Sequence, residues 1–201
     1  MTDSQLITHI LDGDRSRFNS LVWRWEKPIY NFVLRYLGNK DLAREVSQKV
    51  FIRVYKNLNK LRDPARFSSW IYQIASNLCK DEIKKMNHRD FVSLDLIQEN
   101  NENEGFRLPD SLKESEHSQP DTKLNQKQIS NIVQKAIQQL PEEQRVVIIM
   151  KEYQGLKFRE IAEALNQPLN TVKSRMYYGL NGLRKIFEQW QITEEVLTYE
   201  M

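Results

Sequence analysis

The 201-residue sequence contains one cysteine, three histidines, six glycines and six prolines. A single thiol, Cys79, excludes a disulfide framework and any multi-thiolate zinc site, and it fits a reducing compartment. His9, His88 and His117 lie far apart and share no metal-ligand spacing, so no metal or other cofactor is expected. So few glycines and prolines cannot supply the turns of a sheet-rich chain, and the expected fold class is all-α. No apolar run approaches the roughly 18 residues that span a bilayer. The opening MTDSQLITHILDGD has no basic stretch followed by an apolar core, so a secretory signal is not expected and a cytoplasmic protein is. Nucleophile–base–orienter sets and phosphate-cradling glycine loops are also missing, which argues against an enzyme.

What the chain does have is charge, unevenly placed. The formal net charge is only +3. Residues 44–89 nevertheless hold eleven basic side chains against four acidic ones, a local net of +7. Residues 95–121 reverse the sign to −6 and carry little apolar periodicity, with Gly105, Pro109 and Pro120 among them. Residues 164–187 contain no acid at all, while Lys173, Arg175, Arg184 and Lys185 are basic. The layout predicts two small helical domains, 1–90 and 126–190, joined by a flexible acidic linker over 91–125 and followed by a tail, 191–201.

Apolar residues recur at helical spacing throughout both blocks. A short amphipathic opener carries Leu6, Ile7, Ile10 and Leu11. A helix is predicted from about Arg15 to Leu37, with Pro28 expected to kink or split it and Gly38 to end it. Further helices are predicted over about 42–58 and 66–87. In the second block Ile129, Ile132, Val133, Ala136, Ile137 and Leu140 form one stripe, and Val146 to Met150 form a core element that Gly155 closes.

Residues 158–187 read as a helix-turn-helix. Phe158, Ile161, Ala162 and Leu165 face inward on the first helix, Asn166 to Pro168 make the turn, and Asn170 or Thr171 can cap the second helix. On that second helix Val172, Met176, Gly179, Leu180, Leu183, Ile186 and Phe187 share one arc, opposite Lys173, Ser174, Tyr177, Tyr178, Asn181, Arg184 and Lys185. A face with donors and aromatics but no acid suits the DNA major groove better than plain solvent.

The stretches LNQPLNTVKSRM and AIQQLPEEQRVVIIMKEYQGLKFREIAEAL resemble the C-terminal promoter-reading domain of extracytoplasmic-function (ECF) sigma factors, members of the sigma-70 family of bacterial RNA polymerase initiation subunits. DLAREVSQKVFIRVYKNL and RFSSWIYQIASNLCKDEIKK resemble the family's second region. The resemblance implies core RNA polymerase and promoter DNA as partners, with an anti-sigma factor expected as a third. It implies that the recognition helix reads the −35 element through Asn170, Thr171, Lys173, Ser174, Arg175, Tyr177 and Tyr178. It also implies that the helix starting near Arg66, with the loop before it, reads the −10 element and holds one flipped base.

The residues of that second site make physical sense on a wheel. Phe67, Trp70, Ile71, Ile74, Ala75 and Leu78 line one arc, and Gln73, Ser76, Asn77, Lys80 and Lys84 lie opposite with Tyr72 at the margin. Cations and amides beside an aromatic suit single-stranded DNA, with Lys60, Arg62 and Arg66 adding charge from the loop. Trp70 reads as core packing, and the Lys80/Lys84 face fits a solubilising surface equally well. The resemblance assigns Asp41, Glu45, Gln48 and Lys49 to polymerase docking, with Phe51 and Val54 read as core. Lys49 departs from an acidic residue common in the family, Tyr178 and Leu180 from arginines, and Asn170 from glycine. About 37 residues between Arg89 and Gln126 reach at most ~120 Å, ample to join two promoter elements. Their acids fit a solvated tether and a nucleic-acid mimic equally. A one-component helix-turn-helix regulator with a helical ligand-binding N-domain is the main alternative, and an anti-sigma-binding decoy that never meets DNA is another.

Overall fold

A computed structural model describes the backbone of residues 1–94 and 126–192 and the side chains of 1–88 and 128–192. The chain between them, where the linker is expected, and the end of the tail lie outside the described residues. All regular structure among the described residues is helical.

Four helices make the N-terminal half: α1 (Asp3–Leu11), α2 (Arg17–Leu37), α3 (Lys40–Asn57) and α4 (Phe67–Leu94). Two of the starts have a side-chain cap. Thr2 and Gln5 form a reciprocal capping box on α1. Asn39 Oδ1 accepts from the backbone N–H groups of Asp41 and Leu42 at 2.9 and 3.0 Å, capping α3. Gly38, at φ +71°, ends α2 in the left-handed region that glycine adopts freely. Pro28 does not split α2, which runs through it as one helix. Leu21 before the proline and Ile29, Phe32, Val33 and Tyr36 after it are all buried, and that burial offsets the roughly 3 kcal/mol a mid-helix proline costs. The fourth helix continues seven residues past the expected Asn87, because no glycine or proline stands in its way before Gly105.

An aromatic cluster fixes how α2 and α4 meet. Trp25 stands edge-on to Phe67 and Tyr72 at 5.5 and 5.8 Å, and Phe32 does so to Tyr72 and Tyr36 at 5.2 and 5.7 Å.

The C-terminal half contains α5 (Gln126–Gln139), α6 (Glu142–Ile148), α7 (Phe158–Leu165) and α8 (Leu169–Gln189). Beyond Ile148 the helix widens into a π-turn, Ile149–Tyr153, and Gly155 closes it at φ +67°. The turn between α7 and α8 pivots on Asn166 in the left-handed region at φ 50°. Pro168, not Asn170 or Thr171, flanks the start of α8; Asn170 lies within the first turn, where it cannot cap. Gly179 lets α8 approach closely, since a Cβ there would sit 2.7 Å from Ile148 Cδ1.

The two halves do not sit apart. Helix α7 packs on α4, and α5 and the π-turn pack on α2.

Candidate nucleic-acid interface

The loop before α4 folds as two short helical turns, Leu58–Lys60 and Pro64–Arg66, the second capped by Asp63. With the first turns of α4 they enclose a cleft of about 440 Å³. Lys60, Arg62, Arg66 and Gln73 line it together, four residues that sequence reasoning had placed in one site. Trp70 forms its apolar wall while packing against Phe67 at 6.1 Å, so it is half-buried and serves both surfaces. Ser69 also lines the cleft; its position one turn before Gln73 was the available signal.

Further along α4, Asn77 and Lys84 are exposed and Lys80 is half-buried, at three- and four-residue steps from Gln73. The stripe is therefore continuous from the cleft outward. Two members of the expected set are not on the surface. Tyr72 is 3% exposed and Ser76 1%. The Tyr72 ring joins the aromatic cluster of the N-terminal core, and its hydroxyl donates to Gln154 Oε1 of the other half at 2.7 Å. Ser76 is buried beside Tyr36 of α2. A helical wheel for α4 places Ser76 on the open side and Tyr72 at its margin; packing against α2, and for Tyr72 the bond to Gln154 as well, takes both off the surface.

On α8, Asn170, Lys173, Ser174, Tyr177 and Tyr178 are exposed and Thr171 is half-buried. The Tyr177 and Tyr178 rings meet edge to face at 5.7 Å, which holds two aromatic planes at the surface. Ser174 Oγ donates to Thr171 O at 3.0 Å. Arg175 points elsewhere. Its guanidinium is tied to Glu143 at 2.7 Å, at the start of α6, so it braces the helix rather than joining the exposed face. Leu180 is 48% exposed, outside the buried arc expected for it.

Asp41, Glu45 and Gln48 are exposed along α3. Lys49 forms an i, i+4 ion pair with Glu45, and that hydrogen bond raises the lysine's affinity for its proton. Beside Gln48 runs an apolar groove of about 580 Å³ between α2 and α3, bordered by Trp23, Tyr30 and Phe51. Trp23 is 83% exposed. It was legible only as an aromatic lying off the buried stripe of α2.

Cation-rich clefts with aromatic walls bind phosphates and stack unpaired bases, whereas an exposed helix over a tight turn fits a duplex groove. Both arrangements occur here on one chain. Residues 21–89 match the family described as "Sigma-70 region 2", and residues 130–181 match "Sigma-70, region 4". Over 179 residues the sequence is 32% identical to the ECF RNA polymerase sigma factor SigW of Bacillus subtilis, covering 89% of this chain and 93% of that protein. It is 33% identical over 178 residues to the ECF RNA polymerase sigma-E factor of Escherichia coli K12, covering 88% and 90%. Among solved structures the fold is similar to CnrH in complex with the cytosolic domain of CnrY, with a TM-score of 0.65 at 18% identity over 93% of this chain and 97% of that one. It is also similar to the sigma factor RpoE of Bartonella quintana in complex with the anti-sigma factor NepR, with a TM-score of 0.63 at 16% identity over 85% and 96%.

Proposed function

The chain belongs to the ECF group of the sigma-70 family, and we infer from this that it is an RNA polymerase sigma factor: it binds core polymerase, recognises −10 and −35 promoter elements and promotes DNA opening and initiation. The observation that carries the reading is the presence of both family regions, in order, on one chain, each bearing an exposed surface suited to DNA. A ligand-controlled one-component regulator has no claim on the first of those regions.

The work is divided as follows. The cleft of Lys60, Arg62, Arg66 and Gln73 and the stripe Asn77, Lys80 and Lys84 take the single-stranded −10 element, phosphates going to the cations and base edges to the amides. The exposed face of α8 takes the −35 duplex through Asn170, Lys173, Ser174, Tyr177 and Tyr178. Asp41, Glu45, Gln48 and Lys49 dock polymerase, extended by the Trp23 groove beside them. Residues 1–90 and 126–190 act as two units joined by 91–125, with 191–201 as a tail. An anti-sigma factor is a further partner, as the structural relative from Bartonella quintana was solved with one. The protein works in the cytoplasm, where the chromosome is, and contributes no catalysis of its own; no described helix is long and apolar enough to cross a membrane.

Run-off transcription with purified core polymerase on a pool of genomic promoters tests this. Promoter-specific transcripts that depend on the chain are expected. Unchanged transcription on adding it would overturn the assignment.

A further inference from the structure

Leu180 stands off the buried face of α8. The buried positions of that helix are Val172, Met176, Gly179 and Ile186, and Leu180 lies outside them at 48% exposure. It falls instead on a line with Lys173, Tyr177 and Arg184, all exposed, at steps of four, three and four residues. Such steps keep side chains on one stripe of a helix. Tyr177 is 65% exposed, and Tyr178, whose ring meets it edge to face at 5.7 Å, is 60% exposed. One exposed apolar side chain is ordinary; three together, rimmed by polar ones, mark a contact surface.

Charge decides what that surface meets. Residues 164–187 hold no acid, and Lys173 and Arg184 stand one turn to either side of the Tyr177–Leu180 pair. Arg184 pairs with Glu188 at 3.1 Å, but both partners are exposed, so the guanidinium is only weakly held. Cations at both ends with carbon between them complement a DNA groove. Its walls are phosphates, and its floor carries one apolar group, the thymine 5-methyl. Guanine is best read by a bidentate guanidinium, and Arg175, the arginine in the first two turns of α8, is drawn off to Glu143 at 2.7 Å. Cytosine has no methyl and presents an amino donor, which an apolar pair would leave without water or partner.

We propose that α8 selects thymine in the −35 element, the 5-methyl group seating between Tyr177 and Leu180 while Lys173 and Arg184 take phosphates on either side. The proposal rests on the −35 reading of α8 given above, and it adds Leu180 and Arg184 to that surface. The preference comes from taking the methyl and the carbon of both side chains out of water together. The ring of Tyr177, not its hydroxyl, makes the seat, and Tyr178 braces that ring from the side.

The test uses the polymerase–sigma complex. A −35 duplex is recovered from a randomised pool, labelled with fluorescein, and made in two forms that differ only by exchange of its thymines for deoxyuridine, which lacks the methyl. The recovered sequences should hold thymine at fixed positions. Anisotropy should show the deoxyuridine form binding about fourfold more weakly for each methyl seated. Tyr177→Ala/Leu180→Ala should bind both forms alike, whereas Tyr177→Phe, which keeps the ring, should discriminate as the wild type does. A pool without fixed thymines overturns the proposal, as does equal affinity of the wild type for the two forms. Discrimination that survives in the double variant overturns it too; if that variant loses core polymerase instead, the pair is a protein contact. Lys173→Ala separates the proposal from its premise. If it weakens both forms while the wild type ignores the methyl, α8 still lies in the groove and thymine selection alone falls. If neither Lys173→Ala nor the double variant changes binding to either form, α8 is not in the groove and the proposal falls with that reading.

Discussion

The Tyr36 hydroxyl donates to Glu142 Oε1 at 2.9 Å across 106 positions of sequence. Tyr36 is fully buried, stacked edge-on against Phe32, and ends the apolar face of α2. Glu142 opens α6, where its charge already favours the positive end of the helix dipole. One bond therefore ties the core of the N-terminal half to the start of the C-terminal one. Around it Cys79 and Tyr72 are also buried, and burial pushes all three groups well above their ordinary pKa values, with Glu142 adding to the shift at Tyr36 and Cys79.

That shift makes the folded state sensitive to alkali. A buried phenol stays protonated after a solvated one has ionised at about pH 10, so the folded state binds more protons than the unfolded one above that pH. Its stability is complete below about pH 10 and falls as pH rises further; for Cys79 the fall begins near pH 8.5. Denaturant midpoints measured between about pH 8 and pH 11 should decline, and Tyr36→Phe/Tyr72→Phe should show a shallower decline above pH 10. An equal slope in both proteins would detach these hydroxyls from the effect.

Close approach predicts the second result. Gly179→Ala gains helix propensity, worth about 1 kcal/mol, but its Cβ would lie 2.7 Å from Ile148 Cδ1 in a fully packed site. Overpacking of that kind costs about 1–3 kcal/mol. A net loss of about 1 kcal/mol is expected from urea unfolding, and relief by the additional change Ile148→Val would identify the clash as the cause.

The recognition helix predicts a division of labour. Lys173→Ala should weaken binding to −35 duplexes of any sequence, whereas Ser174→Ala should relax base preference by about 1–3 kcal/mol if its hydroxyl turns from Thr171 O to a base. Affinity for core polymerase should not move in either variant. Competition assays with a randomised duplex read both effects, and a double variant with wild-type preference would remove α8 from the groove.

Much of this was legible in the sequence, for identifiable reasons. The apolar stripes of α2, α5 and α7 follow helical spacing without ambiguity, and burial obeys them at Phe32, Ile137 and Ile161. The cleft residues Lys60, Arg62 and Arg66 were legible because charge clustered where the apolar pattern paused, and Gln73 because it lies opposite the apolar arc of α4. Tyr72 and Ser76 were misplaced because a wheel knows only its own helix. Tyr72 meets Trp25 and Phe32 of α2 and, 82 residues on, Gln154, while Ser76 lies beside Tyr36, and such long-range contacts have no local signature. Arg145 failed to stand out for the same reason: among so many basic residues, nothing marks the one that will cap another helix, as Arg145 does at Tyr36 O.

The α4 stripe carries the last prediction. Asn77 offers both a donor and an acceptor to a base edge, whereas Lys80 and Lys84 only donate and suit phosphates. Asn77 and Lys84 are exposed and Lys80 half-buried, and the three continue the line that begins in the cleft at Gln73. Asn77→Ala should therefore change which −10 sequences the polymerase–sigma complex prefers, with little effect on overall strength. Lys80→Ala and Lys84→Ala should weaken all sequences alike and flatten the salt dependence, each lost phosphate contact reducing the single-strand slope by about 0.7. The measurement belongs on a pre-melted bubble set beside the closed duplex. On the bubble the strand is already free, so a change there reports capture, and a change confined to the duplex reports melting. A lysine variant with the wild-type salt slope on the bubble would take this stripe out of strand capture, because a phosphate contact cannot be lost without releasing its counterion term.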